Sequence, residues 1–367
     1  MKSILKILGV LSVLAIIGAS GYFIYKAFFT APATTTIAKP ETIDQKKAEL
    51  GVRSPDLNVF SKNKALSYWI DEKTGAIYYA DPTGTIFKLF GAEREEEIST
   101  QSLPDFHSLT PSPDGTKALA EFGYPFEPVF AVFNTENNSW ERLPQGTIAA
   151  DFDPTSKQIA FVTNGTSGSL KILNLADKKS VTITAVPAGD LILSWIKSDK
   201  IYLQSKPTSA SSLETWSADP VKKTLKKLDI LGSALDTIML RWFKKSGLGL
   251  RLSAPTVNTT NLSLVHVAGA ELLGLPFKTL PDKCAFANAD LLYCAVPNNL
   301  PARANLPDDY FQKKIFTTDS IISYNLETLE ERVLFSGEVD ATELNILGNQ
   351  LFFINRYDEK IYSLKIN

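Results

Sequence analysis

The sequence predicts an all-β fold, a seven-bladed β-propeller preceded by one transmembrane helix and a linker, and three observations point to it. From Leu57 onward, short segments of alternating polarity are separated by turn residues, and no segment keeps the 3.6-residue period of a long helix. A unit of strand, polar turn and strand recurs with its turn near Thr74, Asp114, Ser156, Ser198, Ser246, Ala289 and Gly348. The spacings are roughly 40 to 48 residues, and about 59 for the last, close to the period of a four-stranded blade. Finally, the last copy holds three strands up to Asn367, while Leu57 to Phe60 is a strand without a copy of its own. Pairing the orphan with Ile361 to Ile366 completes a seventh blade and closes the ring, leaving only short protected edges.

Taken in chain order, residues 1–29 form a cytoplasmic stub and anchor, 30–56 a linker and 57–367 the propeller. "ILGVLSVLAIIGASGYFIY", Ile7 to Tyr25, carries no charge and is long enough to cross a hydrocarbon core of about 30 Å. Lys2 and Lys6 precede it, so the positive-inside bias keeps the N-terminus cytoplasmic and exports the rest. A cleaved signal peptide has a shorter apolar region, about 7 to 15 residues, and Ala31-Pro32-Ala33 is a weak cleavage match. The expected location is the cell membrane, single-pass, with the propeller extracytoplasmic. Thr30 to Asp56 lacks apolar periodicity and is rich in Thr, Ala, Pro and charge, the composition of a linker.

Each hairpin is followed by a third and fourth strand, as in "PVFAVFNTENNSWERLP" (Pro128 to Pro144) and "SLKILNLADKKSVTITAV" (Ser169 to Val186). Trp69, Trp195 and Trp242 lie at similar distances before their turns, with Phe152 and Phe286 in comparable places. Such register suits packing between blades, because aromatic side chains bury a large area. Ser112-Pro113-Asp114-Gly115 followed by "TKALAEF" resembles the signature of the WD40-like, TolB-type β-propeller repeat, and "DPTSKQIAFVT" (Asp153 to Thr163) is a looser match. The resemblance implies an extracytoplasmic propeller that binds proteins or cell-envelope components, with no catalytic residues to carry over.

Composition narrows the function classes. A chain that is 44% hydrophobic and 21% charged with a formal net charge of -2 lacks the basic footprint of a nucleic-acid binder. With two His and two Cys, a zinc site of the usual spacing is not expected, and neither a metal nor a cofactor is implied. There is no Gly-x-Ser-x-Gly elbow and no phosphate-cradling glycine motif. Asp151 and Asp153 share one side of a strand, but turn hydrogen bonding accounts for them more simply than a bound cation. Asp105 and His107 read as a surface pair, and His266 as structural. Lys222, Lys223, Lys226 and Lys227 flank a third-to-fourth-strand turn, where lysine discourages edge pairing.

Two features remain. Cys284 and Cys294 lie on the two arms of one hairpin; a three-residue turn, Asn288-Ala289-Asp290, opposes them at bridging distance, whereas a two-residue turn leaves two buried thiols. The long sixth spacing places an insertion at Asn298 to Ser320, between second and third strands, and insertions in repeat folds map to loops on one face. Arg303, Asp308, Asp309, Tyr310, Phe311 and Lys313 are its candidate binding residues; the rival reading packs Tyr310 and Phe311 as a lid over the channel mouth. The expected function is a membrane-anchored scaffold binding protein or an envelope polymer. Its rival is a lyase or hydrolase acting on a glycan or peptide in the central funnel, which would require His and carboxylates converging there.

Overall fold

The computed structural model describes residues 57–366, apart from 93, 100, 102, 125–126, 165–167, 188, 211, 229–236, 257–258 and 302. The anchor and linker read from the sequence lie outside these residues. Among the described residues no helix is long and apolar enough to cross a membrane.

Seven four-stranded antiparallel sheets form a seven-bladed β-propeller. Blades 1 to 6 are consecutive meanders over residues 67–97, 108–142, 147–186, 191–227, 237–274 and 284–336. Blade 7 combines Ala341–Leu347, Gln350–Asn355 and Lys360–Lys365 with the N-terminal strand Leu57–Val59, which pairs outermost: Leu57 opposes Leu364 and Val59 opposes Tyr362. The amides of Phe60 and Ser61 extend the pairing to the Ile361 carbonyl, at 2.7 and 3.2 Å. First strands lie innermost, and those of blades 7 and 1, 1 and 2, 3 and 4, 4 and 5, and 6 and 7 touch. A meander has two kinds of end. First-to-second and third-to-fourth connections share one face, here the turn face; second-to-third loops and blade-to-blade connections share the other, the loop face.

The core is divided among the interfaces between blades. Trp69 and Phe133 occupy that of blades 1 and 2, Phe152 and Phe161 that of blades 2 and 3, Trp195 that of blades 3 and 4, and Trp242 with Tyr202 that of blades 4 and 5. The first-strand aromatics are therefore packing residues, buried where flat rings cover much area at little entropic cost. The Ser112-Pro113-Asp114-Gly115 turn shows why its sequence is specific. Gly115 has φ +73°, and a Cβ there would lie 2.5 Å from Asp71 Cα and from the Ile70 carbonyl oxygen of the preceding blade. Its own carbonyl accepts the Trp69 indole N–H at 3.1 Å, while the Asp114 amide donates to Ser156 Oγ of blade 3 at 3.1 Å. The turn thus clasps blade 1 behind it and blade 3 ahead.

Asp151 and Asp153 part company. Asp153 accepts from the amides of Thr155, Lys157 and Gln158 and closes its own turn. Asp151 is buried, accepts the Trp195 amide of blade 4 at 2.7 Å and pairs with Lys244 of blade 5 at 2.7 Å, so it pins three blades at the turn face. Burial pushes its carboxyl up, more than Lys244 brings it down.

Cys284 and Cys294 are opposed in register and form a disulfide with 4.1 Å between their Cα atoms. The Asn288 side chain accepts the amides of Asp290 and Leu291, which sets the turn between the arms.

Ring closure is testable at its smallest element. Leu57 is buried against blade 7. Leu57→Ala should destabilise the propeller by about 2 to 4 kcal/mol, and deletion of residues 57–60 by more, whereas trimming residues 30–44 should leave the urea midpoint unchanged.

Candidate binding face and channel mouth

The insertion between the second and third strands of blade 6, residues 298–318, lies across the loop face. It carries a one-turn helix, Asp308–Phe311, and its footing is a buried network of four charges: Lys283 and Asp340 from the connections before and after blade 6, Asp319 at the insertion's end, and Arg356 of blade 7. Lys283, in the approach to blade 6, donates to Asp340 at 2.7 Å, to Asp319 at 2.8 Å and to Thr317 Oγ1 at 2.8 Å. Arg356, in the second-to-third loop of blade 7, donates to Asp340 at 2.7 Å, to the Tyr310 carbonyl at 2.6 Å and to the Ile315 carbonyl at 3.4 Å. The Thr317 amide completes Asp340, and the Ala341 amide completes Asp319. Two cations meet two carboxylates with the remaining lone pairs filled, which is the condition under which buried charge is tolerated. Burial alone lowers the Lys283 ammonium, but Tyr310, Asp319 and Asp340 outweigh it and hold it well above the usual lysine range.

The six residues singled out from the sequence divide sharply on this frame. Tyr310 is buried: the Arg356 guanidinium lies 3.7 Å from its ring centre, and its hydroxyl sits beside Thr342 without a complete hydrogen bond. Around it Leu280, Leu252, Met239 and Ile315 make a small core that joins the insertion to blade 5. Asp308 reaches blade 4, accepting Ser209 Oγ at 2.6 Å and the Ser209 amide at 3.2 Å. Asp309 stays within the loop, accepting the Asn305 amide and pairing with Lys314 at 3.6 Å. Lys313 reaches blade 7 through Glu359 at 2.5 Å, and Lys64 meets the same carboxylate at 2.8 Å. Burial raises Glu359, yet the two lysines outweigh it and bring the carboxyl down to about 2. Arg303 and Phe311, the latter 46% exposed, face outward, as does Lys313 beyond its contact with Glu359. The insertion is therefore a brace over blades 4 to 7, and four of its six candidate residues serve the brace.

A second tie crosses the same face. Lys206 of blade 4 pairs with Asp190 at 3.0 Å and stands 4.3 Å from the ring centre of Tyr124 in blade 2, which also stacks on the ring of His107 at 4.1 Å.

The channel mouth holds groups that sequence reading missed. Glu343 lies in the first strand of blade 7 at a break in register, with its backbone in the left-handed region, φ 53°. Its carboxylate accepts Ser67 Oγ of blade 1 at 2.8 Å, and its carbonyl accepts the Tyr68 hydroxyl at 2.8 Å. Arg241 of blade 5 and Asp282, in the approach to blade 6, are within electrostatic reach of it and 3.5 Å from each other. Groups from four blades meet this closely only near the ring axis. Burial raises the Glu343 carboxyl and Asp282 adds to the rise; Ser67 and Arg241 offset part, leaving it at about 7. No periodicity marks Glu343, because a bulge that turns a charge inward reads in sequence as one more polar strand residue. The two histidines lie elsewhere and exposed: His107 on the loop face, His266 in a blade 5 turn where its Nδ1 accepts the Ala268 amide. Among the described residues no cluster has metal-binding composition.

No protein-family model and no curated protein sequence matches the chain. Solved structures do. The WD40 repeats of RRP9 align with TM-score 0.56 at 9% identity, covering 86% of this chain and 98% of that one. U3-55K aligns with TM-score 0.55 at 10% identity over 86% and 99%. The β-propeller domain of Cps50 (Swd1) from Myceliophteria thermophila aligns with TM-score 0.53 at 11% identity over 85% and 100%. At such identities the likeness establishes the fold, a WD40-type seven-bladed propeller, and leaves function to the site.

Two measurements probe these groups. Lys283→Ala should cost about 3 to 5 kcal/mol, because two buried carboxylates lose their shared cation; chemical denaturation reads it. For Glu343, the folded carboxyl keeps its proton from the ordinary value of 4.5 up to about 7 while the unfolded one loses it. The folded state then binds more protons, so this group's contribution to stability falls as pH rises through that window and levels off above it. Glu343→Gln should flatten that part of the pH–stability curve.

Proposed function

We propose that the protein is a membrane-anchored, extracytoplasmic β-propeller scaffold that binds a protein or a cell-envelope polymer through its loop face. The observation that carries the reading is the bracing of that face: the buried Lys283, Asp319, Asp340 and Arg356 network anchors the insertion to blades 6 and 7, and Asp308 to Ser209, Lys313 to Glu359, and Lys206 to Asp190 and Tyr124 align the more exposed loops of blades 2, 4, 6 and 7 around it. A surface held in place before encounter loses little entropy on binding, and Phe311 and Arg303 project from it as an aromatic anchor and a fork of donors. The Cys284–Cys294 disulfide supports an oxidising compartment, and the uncharged stretch Ile7 to Tyr25 supports the anchor. The fold likeness to WD40 propellers is consistent with protein binding.

Glu343 and Asp282 at the channel mouth favour a second reading, a lyase or hydrolase acting on a glycan or peptide. It requires turnover that Glu343→Gln abolishes.

A photo-crosslinking residue introduced at Phe311 should capture a discrete partner in intact cells. Arg303→Ala should weaken that product at unchanged thermal midpoint, because Arg303 is exposed. The same probe at Leu272, on the outer rim of blade 5, should capture none. Equal products at both positions would remove the loop-face reading.

A further inference from the structure

We propose that the turn face is a docking surface for an anionic phospholipid bilayer; this rests on the reading of the protein as membrane-anchored. The first observation is where exposed apolar side chains lie. Phe90 (46% exposed), Val221 (78%) and Leu329 (53%) occupy the third-to-fourth-strand turns of blades 1, 4 and 6. Those blades are spread around the ring, so the three tips form a tripod on one face and no contiguous patch. A protein partner calls for a contiguous apolar area. A flat partner can meet separated tips together.

The second observation is what surrounds the tips. Lys88 Nζ and Arg94 Cζ lie 5.2 and 5.4 Å from the ring centre of Phe90, so two cations bracket the aromatic. Lys222 and Lys223 follow Val221 directly, both exposed. An apolar tip at headgroup depth with cationic side chains at its flanks, their stems along the apolar surface and their charges on phosphate, is the arrangement that an anionic interface rewards. Lys222 is paired with Asp219 at 3.3 Å, and that exposed pair in water holds little energy, so exchange for lipid phosphate costs little. Carboxylates share two of the turns: Glu96 opposes Lys88 and Glu97 follows it in blade 1, and Glu327 and Glu330 flank Leu329 in blade 6. Leu329 has no cation in its turn to offset them, so the ring leans first on blade 4 and then on blade 1, where Lys88 and Arg94 stand against the Phe90 ring itself.

The third observation is topological. Leu57–Val59 runs antiparallel to Lys360–Lys365, and Leu57 opposes Leu364 at the end next to the Gly348 turn. The chain therefore enters the propeller at the turn face, the face that carries the tips. The braced loop face with Phe311 points the opposite way.

The full chain reconstituted in vesicles provides the test. Both native cysteines are in the disulfide, so a single introduced cysteine takes a polarity-sensitive fluorophore. Labels on Phe90→Cys and Val221→Cys should shift to the blue in phosphatidylcholine vesicles containing phosphatidylglycerol, and return toward the aqueous spectrum in high salt. They should stay unshifted in phosphatidylcholine alone, and a label on Phe311→Cys should not shift in either lipid. Equal spectra in the two lipids at Phe90→Cys and Val221→Cys, or a shift at Phe311→Cys alone, would overturn the proposal. An alkaline carbonate wash after the spectra are read separates the two readings. Loss of the protein from the vesicles defeats the anchor, while the lipid-dependent shift decides docking by itself.

Discussion

Every blade of the propeller is a sheet with an inner and an outer edge, and the ring persists because its last sheet is completed by its first strand. Leu57–Val59 covers Lys360–Lys365 on the outer edge of blade 7, and Phe60 and Ser61 carry the pairing on to Ile361. Two segments about 300 residues apart in sequence are joined by backbone hydrogen bonds and by the Ile361 amide donating to Ser61 Oγ, bonds that neither could make alone. Without that pairing the interface of blades 7 and 1 would stand open, with Tyr79, Phe352 and Ile361 at a free seam. Closure converts seven marginal sheets into one cooperative body.

Within the ring, polar groups do what apolar packing cannot. Aromatic wedges separate the blades, but they slide; hydrogen bonds crossing from turn to turn fix their rotation. Trp69 to Gly115, Asp114 to Ser156, and Asp151 to Trp195 and Lys244 are such ties on the turn face. On the loop face the Lys283, Asp319, Asp340 and Arg356 network does the same at greater depth and also holds the insertion. The buried charges cost desolvation, and their full satisfaction makes the arrangement specific: a shift of blade 6 against blade 7 would leave a carboxylate or an ammonium without its partner.

The two faces differ as a consequence. Loops on one face are long enough to reach one another and are braced into a platform. Turns on the other are short, tightly clasped and tipped with isolated apolar and basic side chains. The Glu343 bulge lies between, where strands converge on the axis and side chains from four blades are brought within one another's fields. Its left-handed backbone is a local strain that the surrounding sheet over-determines.

Much of this was legible in the amino-acid sequence. Alternation and turn residues are local signals, so the strands, the seven repeats and the insertion between the second and third strands of blade 6 could be counted from spacing, whereas the opposition of Cys284 to Cys294 hung on a turn length that spacing left open and the structure decides. Even the closing strand was visible as an unpaired remainder. What the sequence could not contain was which charges meet. Asp319, Asp340 and Lys283 read as ordinary polar residues at strand ends, and Tyr310 looked as available to a partner as Phe311. Their fates diverge because the blade-to-blade angle and the path of the insertion place Arg356 over one ring and solvent over the other. Local pattern sets the elements, because each turn and strand is stabilised by its own neighbours. Burial of charge and convergence at the axis belong to the tertiary structure, because only ring closure brings those distant residues into one low-dielectric space.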